Sequence, residues 1–340
     1  MNFRVRPATN DDFQAIYEMA KLTGGGFTNL PPDRGVLVDK LVRSEVSFSA
    51  EASEPSDEMF MMVLENLDTG QIRGTCQMFG MVGVSRPFYS YRISTLTQTS
   101  NELGKTFRNE MLTLTTDLEG SSEVGGLFLH PGERAGGLGL LLARSRDLVI
   151  RQHRERCGRR VLAELRGVID ESGGSPFWDG IAGRFFGMNF QEADEFNATH
   201  GTQFIADLMP KTPIYVSMLP DSARQVMGLP HPSGRAAMKM LEREGFEFEC
   251  YVDIFDGGPT MLAHTDQIRT IRDAREYVLA EVADEPRSAQ HVMLASGRLS
   301  SFAAAYGYLS VEDDGTATLD RQSAAALGVE PGDSFLATGR

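Results

Sequence analysis

The sequence predicts an α/β fold of the α+β kind: a mixed sheet flanked by helices, a second related α/β half, and a small β-rich C-terminal part. Three observations lead there. The stretch 121–150 reads as a strand, a tight glycine loop and a helix. A helix followed by a glycine and an aromatic residue occurs twice, before Phe190 and before Phe246. From Ile268 onward, short alternating strands and turns replace the helical patterns. These breaks divide the chain into 1–195, 196–275 and 276–340. At 340 residues it is long for one domain and has ample material for a core.

The elements follow in order. Phe3 to Ala8 alternates and reads as a strand, and Thr9 to Asp12 offers N-cap residues to a helix through Ile16, Met19 and Leu22. Thr23 to Thr28, with consecutive glycines, is a break. Its plainer role is a helix end and loop, and its sharper role is backbone lining of a substrate pocket. Val36 to Val46 resumes helical spacing. Met59 to Leu64 and Ile72 to Met81 flank an Asp/Gly turn, a hairpin signal. The aromatic patch from Pro87 to Ile93 reads as core. Glu123 to Leu129 is an apolar strand ended by Pro131 and Gly132, and a helix with a basic end runs from Leu138 to Arg154. Val161 to Ile169 is a strand, and a helix starts at Ser175 after the loop from Asp170 to Gly174. Phe204 to Pro210 reads as a strand. Leu229 to Pro232 is a rigid loop, and Tyr251 to Pro259 is a strand and turn. In the tail, Ala304 to Val311 is a strand and Ala324 to Val329 a short helix, with no visible chemistry.

Composition narrows the partners. A net charge of −14 repels phosphodiester backbones, so nucleic acid is not expected. Cys76, Cys157 and Cys250 are scattered and odd in number, which fits neither a disulfide framework nor a zinc site and suits a reducing, cytoplasmic setting. The first residues lack the apolar core of a signal peptide, and no run approaches a membrane span.

Chemistry concentrates in a few places. Arg134, Gly136, Gly137 and Gly139 form a loop at a helix N-terminus, where backbone N–H groups and the helix dipole suit a pyrophosphate. Six histidines (His130, His153, His200, His231, His264, His291) show no metal spacing. His231 is held between two prolines, which present its imidazole on a stiff loop. His130 is either pocket-facing or a loop residue, and His153 reads as solvated. Glu123 and Glu164 sit in otherwise apolar strands, where a carboxylate is either paired structurally or held with a raised pKa as a base. Ser145 and Ser175 lack partners for nucleophilic catalysis.

The spacing Arg134-x-x-Gly137-x-Gly139 is similar to the coenzyme A loop of the acyl-CoA N-acyltransferase superfamily. Longer phrases carry more: Thr23 to Gly26, Gly120 to Leu129, Glu164 to Asp170, Ser175 to Trp178, Ala206 to Lys211, His231-Pro232, and Tyr251 to Thr260. By these the chain resembles the arginine N-succinyltransferase family of arginine catabolism over essentially its whole length, least so after Ile268. The resemblance implies an acyl-CoA N-acyltransferase-like fold, succinyl-CoA as cosubstrate, L-arginine as acceptor, and no metal or permanently bound cofactor. It implies that Leu127 contacts succinyl-CoA and that His231 is the proton donor. One departure is visible: the family's Gly-Gln-Val before His-Pro is here Gly228-Leu229-Pro230, which stiffens the approach to His231.

The expected reaction is direct acyl transfer, with backbone N–H groups near Leu127 stabilising the oxyanion and His231 protonating the CoA thiolate. Asp170, Glu171, Asp253 and Asp256, in or near loops, are candidate acceptors for the substrate guanidinium. Ornithine or another basic amine is the alternative acceptor. A non-catalytic role in a hetero-oligomer is a further alternative, against which the complete glycine loop argues. A homo- or hetero-oligomer of related subunits is expected. Leu127, Gly137 and His231 are expected to line one cleft.

Overall fold

The computed structural model describes residues 2–23, 29–134, 136–201, 203–312 and 315–340. The proposed pocket lining at 24–28 lies outside the described residues. The strands are β1 (Phe3–Pro7), β2 (Met59–Asn66), β3 (Gln71–Phe79), β4 (Ser90–Ser100), β5 (Lys105–Thr115), β6 (Ser122–Leu129), β7 (Arg160–Glu164), β8 (Ile214–Tyr215), β9 (Glu247–Val252), β10 (Pro259–His264), β11 (Arg275–Ala283), β12 (Gln290–Ser296), β13 (Ala303–Val311), β14 (Ala317–Asp320) and β15 (Ser334–Gly339). The helices are α1 (Phe13–Lys21), α2 (Arg34–Ser49), α3 (Leu138–Gln152), α4 (Pro176–Gly180), α5 (Gly183–Phe186), α6 (Phe190–His200), α7 (Gln203–Leu208), α8 (Asp221–Val226), α9 (Arg235–Glu244), α10 (Arg269–Asp273) and α11 (Arg321–Leu327).

All strands join one sheet, ordered β12-β15-β11-β14-β13-β1-β2-β3-β6-β7-β10-β9-β4-β5-β8. The chain thus has the expected mixed α/β architecture. Its first half is β1-β2-β3-β6-β7. Antiparallel pairing runs as far as β6, and β6 to β7 is parallel. On one face α3 buries Leu138, Leu141, Leu142, Leu148, Val149 and Ile150 against Val161, Ala163 and Leu165 of β7 and its exit. On the other face Ile16, Met19 and Ala20 of α1 and Leu37 and Leu41 of α2 pack on Met59, Met61 and Val63. The start of α1 is tied to β1, because Asp12 accepts from Arg6 at 2.8 and 2.9 Å and from the Thr9 N–H at 2.9 Å.

The second half carries the sheet on through β10, β9, β4, β5 and β8. Its core gathers aromatics: Tyr91, Phe177, Trp178, Phe190 and Phe255. The patch around Tyr91 is therefore core, as its composition suggests. Most of Phe204 to Pro210, read from sequence as strand, belongs to α7 instead. Adjacent Ile205 and Ala206 are both fully buried, which a strand facing one core does not permit, and Gln203 bonds Asp207 one turn on at 2.7 Å.

The C-terminal part is a closed five-stranded barrel, since β12 pairs with both β15 and β13 at the ends of the order β12-β15-β11-β14-β13. Leu279, Leu294, Leu319 and Phe335 fill it, and Ala324 and Leu327 of α11 close it. It joins the rest of the sheet through one pair, Val5 with Ala304. Among the described residues no helix is long and apolar enough to cross a membrane.

Candidate active site

Strands β6 and β7 are paired only where they begin, at Ser122 with Val161 and Glu123 with Leu162. Beyond that no pairing joins them, and the opening this leaves between the two strands is the wedge. On its other edge β6 pairs with β3, but that ladder also breaks: Phe128 opposes Thr75 and Gly125 opposes Gln77, so Gly126 and Leu127 share the position of Cys76. This is a β-bulge. Gly126 makes it with φ of 57°, a left-handed conformation that suits glycine. The bulge resets the pleat. Val124 and then Leu127 and Leu129 face the core of α3, while Phe128 faces α1 and α2. Gly126 and Leu127 therefore have no strand partner on either side, and they sit at the mouth of the wedge.

The glycine loop follows directly. Gly137 is the N-cap of α3 with φ of 81°, and Arg134, Gly136 and Gly137 are exposed. A helix start leaves N–H groups without intrahelical partners. The barrel holds the carbonyls of this loop: Tyr306 donates its hydroxyl to Gly137 O at 3.1 Å, and the Arg340 guanidinium bonds Gly136 O. Arg340 also stacks over Tyr306 at 4.7 Å and meets His291 Nδ1 at 2.9 Å. Turning the carbonyls toward the barrel directs the peptide N–H groups away from it.

Four carboxyl groups converge on the wedge. Glu123 lies on β6, Glu164 ends β7, and Asp253 and Asp256 lie in the turn after β9. Burial, then the Asp253, Glu123 and Asp256 charges, push Glu164 well above the usual carboxylate range. Burial likewise raises Glu123 and Asp253, and takes Asp256, aided by the Asp253 charge, to about 7. Asp256 also builds the site: its carboxylate accepts from the Gly167 N–H at 2.7 Å and the Gly258 N–H at 2.8 Å. A Cβ on Gly258 would lie 2.0 Å from Leu165 O, so glycine lets the exit of β7 and this turn close on each other. Lys40 of α2 approaches Glu123 from the other side. It donates to Asn29 O at 3.0 Å and Gln77 Oε1 at 3.2 Å, and burial lowers its pKa to about 8. Among the described residues no group of three or more His, Cys, Asp or Glu side chains is arranged to hold a metal ion.

His231 reaches β7 from the loop between α8 and α9. Its backbone N–H donates to Arg166 O at 2.7 Å, two residues past Glu164. Its Nδ1 accepts from the Ser233 N–H at 3.3 Å and lies 2.7 Å from Ser233 Oγ. That pattern assigns the proton of the neutral ring to Nε2. Burial, and then the Arg166 charge, push its pKa below 6.5. Pro230 sits between two backbone anchors, Gly228 N–H to Gly257 O at 2.9 Å and the His231 bond, and lacks only an N–H that neither anchor needs. Leu127 lies four residues beyond Glu123 and Arg166 four beyond Leu162. Because Gly126 and Leu127 share one ladder position, the bulge stands one residue short of the His231 anchor across the opening between the two strands.

Other candidates sit elsewhere. Asp170 is taken up by its own turn, accepting from the Ser172 N–H at 2.9 Å and the Gly174 N–H at 2.9 Å, and Glu171 is exposed beside it. His130 caps the turn after β6, accepting from the Gly132 N–H at 3.2 Å. His153, read as solvated, is 5% exposed beneath the end of α3. A cleft of about 550 Å³ lined by Arg151, Gln152 and Arg298 lies at the far end of α3 from Gly137. A helix of this length spans about 22 Å, so that cleft is not the wedge. Sequence reading missed Lys40, Arg166, Tyr306 and Arg340. Lys40 had a signal, a lysine on a helix between buried leucines, whereas the other three are placed only by contacts between remote segments.

Known proteins are similar to this chain in sequence and in fold. A family model described as arginine N-succinyltransferase beta subunit matches residues 3–270, and one for the C-terminal domain of that subunit matches 275–338. The chain is 39% identical over 300 residues to an arginine N-succinyltransferase of Citrobacter koseri, covering 88% of this chain and 87% of that one. It is 40% identical to one from an Enterobacter species, with the same coverage. The solved structure of arginine/ornithine succinyltransferase subunit AI from Pseudomonas aeruginosa superposes with a TM-score of 0.90 at 33% identity, over 99% of this chain and 98% of that one. This chain belongs to the arginine N-succinyltransferase family.

Proposed function

We propose that the chain transfers the succinyl group of succinyl-CoA to the α-amine of L-arginine, directly and within one ternary complex. The observation that carries this is the opening between β6 and β7, with the Gly126–Leu127 bulge on one strand and His231 anchored to the other. Arg134 and the N–H groups at Gly136, Gly137 and Gly139 hold the pyrophosphate by charge and dipole. The acyl arm enters the wedge beside Leu127. A carboxylate whose pKa is raised, with Glu164 the first choice, takes a proton from the α-ammonium. The neutral amine attacks the thioester carbon, and the N–H at Leu127 stabilises the oxyanion. The C–S bond then breaks, the attacking nitrogen releases its second proton, and His231 relays a proton from Nε2 to the departing thiolate while taking up that released one, so the ring ends neutral as it began.

The acidic wedge suits a cationic amino acid. Asp253 and the pair Glu123 and Glu164 are acceptors for its charged ends, and Asp256 braces the turn that carries Asp253. Asp170 and Glu171 are weaker candidates, because both are exposed and stand outside the buried carboxyl cluster. Ornithine is a second acceptor reading, favoured by the arginine/ornithine name of the solved relative. Comparing turnover of the two amino acids with succinyl-CoA separates them. No permanently bound cofactor enters this scheme. Assembly into an oligomer of related subunits, in the cytoplasm, completes the proposal, and light scattering of the purified chain gives its size.

A further inference from the structure

The succinyl group brings a negative charge into a wedge that already holds four carboxyl groups. A donor site built for it needs a cation near the thioester, and the cations near the wedge differ in what they already do. Lys40 is spent on Asn29 O, Gln77 Oε1 and the charge of Glu123. Arg146 donates to Ala143 O at 2.9 Å and Gly125 O at 3.1 Å.

Arg166 is different. Its backbone is fixed twice over. Its carbonyl accepts the His231 N–H at 2.7 Å, and its neighbour Gly167 donates to Asp256 at 2.7 Å. Its side chain is half-buried, and no hydrogen bond or ion pair to the guanidinium occurs among the described residues. Its Nε is buried without a partner. A buried donor left unmade is costly, so an orphan of this kind points to a missing acceptor. The guanidinium lies close enough to His231 and to Asp256 to act on both their charges. It stands two residues beyond Glu164 on the β7 exit, so alternation puts it on the Glu164 side, away from the α3 core that holds Leu165.

We propose that Arg166 binds the distal carboxylate of the succinyl group and so selects succinyl-CoA over uncharged acyl donors. This rests on the succinyl-transfer reading above. Only two methylenes separate that carboxylate from the thioester carbonyl, so its reader must stand beside the reacting centre. Arg166 does, through its bond to His231. A guanidinium fork matches a carboxylate with two parallel N–H bonds, and an acyl chain without the carboxylate leaves the fork and the orphaned Nε unpaired. The same charge offsets the repulsion that Asp256 and Glu164 exert on the incoming tail.

The test uses the full chain, with succinyl-CoA and butyryl-CoA as donors of equal length and different charge, L-arginine as acceptor, and thiol release as the readout. The wild type is expected to prefer succinyl-CoA. Arg166→Met should lower kcat/KM for succinyl-CoA by about 100-fold. Its value for butyryl-CoA should fall far less, because only the altered charge beside His231 acts on both donors, and its KM for arginine should stay within about threefold. Arg166→Lys, which keeps the charge and covers the case of a Met variant that does not fold, should retain a preference for succinyl-CoA. Equal losses with both donors, or a raised KM for arginine with the donor ratio unchanged, would overturn the role of Arg166 and leave succinyl transfer standing. A wild type that turns over neither donor would instead overturn the reading on which it rests.

Discussion

Replacing Gly126 by alanine tests the bulge, because its cost to stability and its cost to turnover come from different atoms. A left-handed backbone costs a non-glycine residue about 1–2 kcal/mol. The new Cβ would also lie 2.8 Å from Gln77 Cδ and Nε2. Gln77 is fully buried, so it cannot simply swing out to solvent. It would give up its bond to Asn29 O at 2.8 Å and the one it accepts from Lys40 at 3.2 Å, each worth about 1 kcal/mol. Together these predict a loss of roughly 3–4 kcal/mol, read as a lower urea midpoint at unchanged slope. If the bulge aims the Leu127 N–H at the oxyanion, kcat should fall by about 100- to 1000-fold. KM for succinyl-CoA should change little, since the Gly137 loop is untouched. A variant destabilised as expected whose kcat stays within about threefold of wild type would refute the bulge as the oxyanion site.

Other expectations follow from the charges. Because its folded pKa is raised, Glu164 takes up a proton as pH falls through that value and then cannot accept one from the substrate, so kcat/KM should drop on the acid side. His231 is pushed below the ordinary histidine range by burial and the Arg166 charge. Glu164→Gln should lower kcat/KM by about 100-fold or more and flatten the acid limb; an unchanged pH profile argues against a Glu164 base. Asp147, buried on α3, is raised by burial and the Glu244 charge to about 7. The folded state therefore holds a proton that the unfolded state has released, and stability from this group falls as pH rises from about 4 to 7. Asp147→Asn should remove that part of the fall in melting temperature, and parallel wild-type and variant profiles would contradict it. Arg340→Ala frees Gly136 O and should raise KM for succinyl-CoA severalfold with kcat little changed, because the glycine loop proposed to hold the pyrophosphate loses its brace; an unaltered KM means the barrel does not act on that loop.

Local signals made much of this legible. Strand β6, the glycine loop and α3 are contiguous, and their punctuation by Pro131, Gly137 and the apolar stripe of α3 survives in the fold. Glu123 and Glu164 stood out because a carboxylate in an apolar strand needs a reason, and both face the wedge. The short apolar run around Ile205 did not declare its period, and burial of adjacent residues decided it as helix. The opening between β6 and β7 leaves no mark in either strand, because it is set by how far the two ladders extend. The barrel looked inert for a related reason. Tyr306 and Arg340 meet Gly137 and Gly136 across 169 and 204 residues of chain, with no local pattern to announce it. The resemblance supplied Leu127 and His231, and it could not supply Arg166, whose lack of a partner is visible only once everything around it is in place.

The most direct test of succinyl transfer at this wedge is thiol release by the purified single chain with succinyl-CoA and L-arginine, run beside His231→Ala and followed by mass analysis of the product. The account predicts arginine-dependent release, an arginine carrying one succinyl group on its α-nitrogen, and a His231→Ala variant that folds normally but turns over at least about 100-fold more slowly. Near-normal turnover by that variant, or release by the wild type that does not depend on the amine, would contradict it.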